Sequence, residues 1–163
     1  MPKSTLHENR KRTKSAHKAQ IILAVSTFVV AKTLWIWWSQ QFPDDQYRQL
    51  EIADTEVAVE VVETQEEREK GLSGRSELPE GEGMLFVFDE PGLYSFHMKD
   101  MEFAIDIIWM DESKRVVGIM RDVSPDTYPQ VFTPDSMSRY VLEVPSGFSE
   151  EHGVSRGMMA SWR

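Results

Sequence analysis

Residues 105–110 read Ile-Asp-Ile-Ile-Trp-Met, a short apolar run with a single acid, Asp106, inside it. A run of this length is too short for a typical core helix and reads as a buried strand. Asp111 to Lys114 follows as a turn, and Val116 to Met120 as the next strand. Upstream, Met84 to Phe88 (MLFVF) is a second unbroken apolar run and a second buried strand. Asp89-Glu90-Pro91-Gly92 has turn composition, which predicts that Leu93 to Met98 returns as a hairpin partner.

The pattern extends in both directions. Glu56 to Val62 alternates, with Val57, Val59 and Val61 on one face and Glu60 on the other, as in a half-buried strand. Thr64, with Glu67 three residues on, forms a capping box at the start of a short helix, and Gly71 is placed to end it. Ser73 to Gly83 and Ser124 to Ser138 read as loops. Tyr140 to Val144 (YVLEV) is the last clear strand, and Ser149 is placed to cap a single helical turn. Several short strands separated by turns predict a mainly β domain. The expected fold is a compact antiparallel β-sandwich or barrel with one or two short helices.

A different signal occupies the N-terminus. Ile21 to Trp38 (IILAVSTFVVAKTLWIWW) as a helix would span roughly 27 Å, close to the thickness of a hydrocarbon core. Six basic residues precede it, and the 15 residues after Trp38 hold only Arg48. The positive-inside rule then keeps the N-terminus in the cytoplasm and exports the rest. Trp35, Trp37 and Trp38 suit the far headgroup interface, and Lys32 lies near enough to that end to snorkel. A signal peptide cut after Ala31 is the competing reading, and it exports the same domain. The expected organisation is a basic cytoplasmic tail over 1–20, a transmembrane signal anchor over 21–38, a linker and first strand region over 39–55, and a β domain over 56–163. The corresponding location is the cell membrane, single-pass, with the C-terminal domain extracytoplasmic.

The formal net charge of −9 conceals two opposite pieces. Residues 1–43 carry +6 and residues 44–163 carry −15. A body this acidic repels nucleic acid, so no nucleic-acid partner is expected. The absence of cysteine removes disulfides, thiolate metal sites and a Cys nucleophile together. No His/Asp/Glu spacing matches a metal signature, and neither a metal nor a cofactor is expected.

Four charged residues stand out. Arg75 follows a Gly-containing turn and is suited to clamp a carboxylate or phosphate bidentately, or else bonds backbone carbonyls or Asp106. Asp106 inside its apolar run is costly to bury without a cation or several N–H donors. Lys99 or Arg75 is the expected partner, within ion-pair reach. Glu143 lies within the YVLEV strand. His97 at a strand end is a general base or metal ligand in one reading and a structural histidine in the other.

In order and spacing, GLSGR (Gly71 to Arg75), GMLFVF (Gly83 to Phe88), FHMKDM (Phe96 to Met101), IDIIWMD (Ile105 to Asp111) and YVLEVPSG (Tyr140 to Gly147) resemble the DUF192 family. The resemblance runs from about Val57 to Gly157. Met98, Lys99, Asp106, Glu143 and Gly147 match the family pattern, and Arg75 keeps its arginine position. Ser73 stands where the family has Met, His97 for Trp, Asp100 for Asn, Met101 for Thr and Ala104 for Pro. The resemblance implies a compact β-rich domain, often exported or membrane-attached, with no established activity.

Two functions follow as expectations. The favoured one is a non-enzymatic module that binds a small ligand or an envelope protein through a polar pocket, with membrane lipid held by residues 21–38. The pocket or ion-pair candidates are Arg75, Lys99, Asp106 and Glu143, and no catalytic residue is assigned. The alternative is an envelope hydrolase using Asp106 or Glu143 as acid/base, with Lys99 and Arg75 as electrostatic stabilisers.

Overall fold

The computed structural model describes residues 47–162. The expectations for the tail over 1–20, the anchor over 21–38 and the linker before residue 47 lie outside the described residues. Among the described residues no helix is long and apolar enough to cross a membrane.

Seven strands form one sheet: β1 (Tyr47–Ile52), β2 (Thr55–Val62), β3 (Glu82–Gly92), β4 (Ile105–Met110), β5 (Val116–Val123), β6 (Ser138–Pro145) and β7 (Ala160–Trp162). Their spatial order is β5-β4-β6-β3-β2-β1-β7. The sheet curls until its two outer strands meet. Arg115 bridges Met159, and the Val116 amide donates to the Met158 carbonyl at 2.8 Å. The architecture is therefore a single curled sheet, a half-barrel, and not a two-sheet sandwich. Curling removes most of the exposed strand edge that a flat sheet would present.

One pairing departs from the antiparallel expectation. β2 and β3 run parallel, with Glu60 opposite Met84 and Val62 opposite Phe86. A parallel pair cannot be joined by a tight turn. The helix α1 (Gln65–Lys70) and the loop after it make the crossover. The Thr64 hydroxyl accepts the Glu67 amide and the Glu67 carboxylate accepts the Thr64 amide, so the capping box forms as expected. Gly71 ends the helix at φ 47°, a conformation that costs a residue without Cβ little. β1 and β2 are joined through Ala53 and Asp54, both at positive φ, the backbone that a two-residue hairpin needs.

The expected hairpin of Leu93 to Met98 on Met84 to Phe88 does not form. β3 continues through Asp89 to Gly92 with a register shift between Val87 and Gly92, and its antiparallel partner is β6. Phe96 instead exchanges backbone hydrogen bonds with Phe132, at 2.9 and 2.8 Å. Turn composition was misleading here because a bulge absorbs the irregular residues without ending the strand.

Both faces of the sheet are covered. Leu50, Val57, Val59, Leu85, Ile108, Leu142 and Val144 fill the inside of the curl. Its mouth is plugged by the short helix α2 (Phe148–Glu151), whose Phe148 joins this core. On the outer face Met84, Phe86, Ile107, Trp109 and Val141 are overlaid by Leu72, Met98 and Phe132 from the loops. All six residues of β4 are consequently buried, Asp106 among them, as the short apolar run predicts.

A candidate binding cleft on the outer face

Register places three residues in one row on the outer face. Glu60 on β2 lies opposite Met84 on β3, and Met84 lies opposite Glu143 on β6. Directly opposed residues point to the same side of a sheet, so two carboxylates flank one methionine. The loop after α1 then brings Arg75 over the row. Its Nη2 lies 2.6 Å from Glu60 Oε2, in a half-exposed ion pair. Alternation along Glu56 to Val62 assigns Glu60 to the wet face; an acid opposite the neighbour of Glu143 is the signal that a pairing argument would add.

Glu143 is 5% exposed. Among the described residues its carboxyl has no hydrogen-bond partner. Burial raises its pKa to about 8, and the nearby Arg75 guanidinium opposes that rise only in part. Glu143 therefore stays largely a neutral acid at pH 7.

This carboxyl lies at the floor of a cleft of about 330 Å³, at the small end of the range for ligand pockets. Phe86, Phe88, Tyr94 and Phe96 line it, and Arg68, Glu69 and Lys70 of α1 contribute charge. The walls are held by one another. Phe88 and Tyr94 stack with centroids 3.4 Å apart, and Phe96 meets Phe86 edge-on at 4.9 Å. The Arg68 guanidinium lies 4.9 Å from the Phe88 ring centre and donates to the Glu63 and Val87 carbonyls. Gly71 lies against the Phe86 ring, and a Cβ there would sit 3.4 Å from it.

Asp106 is elsewhere. It points to the inside of the curl and is fully buried. Its Oδ1 accepts the amides of Asp122 at 2.8 Å and Gly147 at 3.3 Å, and its Oδ2 accepts that of Ser149 at 2.8 Å. The expected ion pair with Lys99 or Arg75 is therefore corrected. Both cations belong to segments that cover the outer face, and the sheet separates them from Asp106. Backbone donors take the role that a cation was expected to fill. Lys99 is exposed, and its carbonyl accepts the Ser73 hydroxyl at 2.9 Å. Of the four charged candidates, the structure brings together Arg75 and Glu143, and adds Glu60. Among the described residues no three His, Asp or Glu side chains are grouped as metal ligands.

Residues 48–162 match the family model DUF192, described as an uncharacterised ACR. The chain belongs to this family. Two archaeal relatives, both UPF0127 proteins, are similar over 68 residues. The Thermococcus gammatolerans protein is 37% identical, over 42% of each chain. The Thermococcus kodakarensis protein is 35% identical, over 42% of this chain and 41% of its own. The matched stretch is thus less than half the length of these relatives. A crystal structure of a protein of unknown function from Novosphingobium aromaticivorans superposes with a TM-score of 0.68 at 25% identity, covering 71% of this chain and 85% of that one.

Four of the departures from the DUF192 pattern have a visible local setting. Ser73, in place of Met, ties the GLSGR loop to the carbonyl of Lys99. Asp100 adopts φ 55°, a left-handed conformation that Asn and Asp tolerate better than most residues. The backbone accounts for either residue there without any amide chemistry. His97, in place of Trp, is exposed at the cleft rim, its ring edge-on to Tyr128. Met101 lines the cleft and packs on the outer core.

Proposed function

We propose that this DUF192 chain is a non-enzymatic binding module, tethered to the membrane by residues 21–38 and presenting its β domain on the extracytoplasmic side. Its outer-face cleft takes a small ligand. The observation that carries this reading is the Glu143 carboxyl, deeply buried, without a hydrogen-bond partner among the described residues, at the floor of an aromatic-walled cleft. The carboxyl keeps slight access to the cleft, so a ligand that bonds it replaces only poorly held water. The hydrolase alternative, with Asp106 or Glu143 as acid/base, keeps only Glu143, because Asp106 is sealed among backbone amides on the opposite face of the sheet.

The test is a thermal-shift screen of small polar molecules on the full chain in detergent, since binding to the native state raises the melting temperature. Hits are expected whose shift shrinks in Glu143→Gln. Hits indifferent to that substitution would move the binding site away from the cleft. The tether is tested separately. The chain should remain with membranes through high salt and alkaline carbonate, whereas a soluble product beginning at Lys32 would show cleavage instead.

A further inference from the structure

We propose that the outer-face cleft is an ammonium site: it takes a primary alkylamine with an apolar or aromatic body, the cationic nitrogen seated on Glu143 and enclosed by Phe86, Tyr94 and Phe96. This deepens the binding reading above and rests on it.

Three observations carry the choice of ligand. The first is the acceptor. Glu143 has no hydrogen-bond partner among the described residues and is nearly closed off from water, so a ligand that displaces the remaining water must bond its carboxyl. An ammonium supplies three donors and the counter-charge together. The second is the wall. Aromatic rings attract a cation through their negative faces, and Phe86, Tyr94 and Phe96 line the cleft, whereas the Phe88 ring is already taken by Tyr94 and Arg68. The protein already places one cation in this way, with Arg68 over the Phe88 ring. The third is the distribution of charge. Arg75, the cation nearest Glu143 in its effect, is paired with Glu60, and the Arg68 guanidinium is held by two carbonyls. Glu69 also lines the cleft, its carboxylate accepting the Gln65 side-chain amide at 2.7 Å. A carboxylate ligand would meet the Glu69 charge, and a neutral alcohol would supply no charge to draw Glu143 into its ionised form.

An ammonium drives Glu143 to ionise. The balance is simple: the protonated carboxyl gives its proton to solvent, and the RNH3+ ligand pairs with the carboxylate left behind. No covalent bond changes. The charged and titratable groups around Glu143 are Arg75 from the loop after α1 and its partner Glu60 on β2, with Arg68, Glu69 and Lys70 of α1 and Tyr94 and His97 of the segment after β3 sharing the cleft. Asp106 on β4 faces the other way.

The experiment is isothermal titration calorimetry of the full chain in detergent with three probes of matched shape: phenethylammonium, 2-phenylethanol and 3-phenylpropionate. Titrations at pH 6.5 in two buffers of different ionisation enthalpy count protons. The expected result is binding of phenethylammonium at least tenfold tighter than the other two, with close to one proton released per ligand. Affinity should rise nearly tenfold per pH unit below about 8 and level off above it. Glu143→Gln should remove both the proton release and the preference for the amine. Equal or tighter binding of the alcohol or the carboxylate, binding of the amine without proton release, or no binding of the amine overturns the ammonium site. In the first two cases the cleft survives as a binding site for another class; if no probe binds, the wider thermal-shift screen decides the cleft itself. Proton release is read in the wild-type chain, so the test does not depend on Glu143→Gln folding.

Discussion

Asp106 Oδ2 accepts the Ser149 amide at 2.8 Å, joining the start of β4 to α2 across 43 residues of sequence. With the amides of Asp122 and Gly147 on the other oxygen, one carboxylate holds β5, the turn after β6 and the plug of the curl. Asp106→Ala removes the acceptor from three N–H groups at once. Each unsatisfied buried donor costs of the order of 1–3 kcal/mol, and the Asp122 and Gly147 groups are partly open to solvent, so a loss of about 3 kcal/mol is expected. Asp106→Asn should lose less, because its carbonyl oxygen still accepts. Urea denaturation measures the loss, and faster hydrogen exchange at Ser149 would place it at the plug. A loss below about 1 kcal/mol would mean that α2 is held by Phe148 packing alone.

Arg75 is expected to matter more to Glu143 than to stability. Its pair with Glu60 is partly exposed, with side chains 34% and 18% accessible, and such pairs contribute no more than about 1 kcal/mol. Its charge, however, opposes the burial-driven rise of the Glu143 pKa. Arg75→Ala should therefore raise that pKa above about 8 while changing the unfolding midpoint little. Carboxyl carbon chemical shifts followed by NMR against pH give the answer directly. A fall in the Glu143 pKa on losing Arg75 would contradict the arrangement.

Gly83 is a position where no side chain fits. It lies in β3 opposite Val59, and a Cβ there would stand 2.9 Å from the Glu143 carbonyl oxygen, 3.2 Å from Val57 Cγ1 and 3.3 Å from Leu142 Cδ1. The first of these is backbone and cannot turn aside. Gly83→Ala should separate β3 from β6 and cost about 1–3 kcal/mol by overpacking. Thermal denaturation would show it, and an unchanged midpoint would mean that the sheet yields more easily than its pairing suggests.

What the sequence discloses depends on whether a signal is local. The buried run of β4, the alternation of β2 and the capping box of α1 each follow from residues a few positions apart, and each is present. Pairing is not local. Nothing in β2 or β3 alone states that they run parallel, and the turn-like residues 89–92 conceal a bulged strand. β7, three residues at the end of a loop-rich stretch, is too short to carry a period of its own. The candidate site divides in the same way. A buried acid at Asp106 was readable as needing partners, but the donors come from three distant amides, and backbone positions carry no sequence signature. Glu143 was visible as an acid within a strand. Its aromatic surroundings and its link to Glu60 through Met84 appear only when β2, β3 and β6 are set side by side.

Glu143 also predicts how stability depends on pH. Its folded pKa, about 8, lies above the 4.5 of an unperturbed glutamate. Below 4.5 the folded and unfolded chains both hold the proton, and Glu143 imposes no penalty. Between 4.5 and about 8 the unfolded chain has released the proton and the folded chain retains it. The unfolded state then binds fewer protons, so stability falls as pH rises, with a limiting slope of about 1.4 kcal/mol per unit for a single site. Above about 8 the folded chain ionises too, and the dependence on this group ends. Glu143→Gln keeps the shape and removes the titration. The variant should match the wild type near pH 4.5 and exceed it increasingly up to pH 8, as read by denaturant midpoints at each pH. Comparing the two chains cancels the contributions of the other carboxylates, all of which remain in both. A difference that stays flat across this range, or one that favours the wild type at pH 8, would mean that Glu143 is ionised in the folded protein and that a donor already satisfies it.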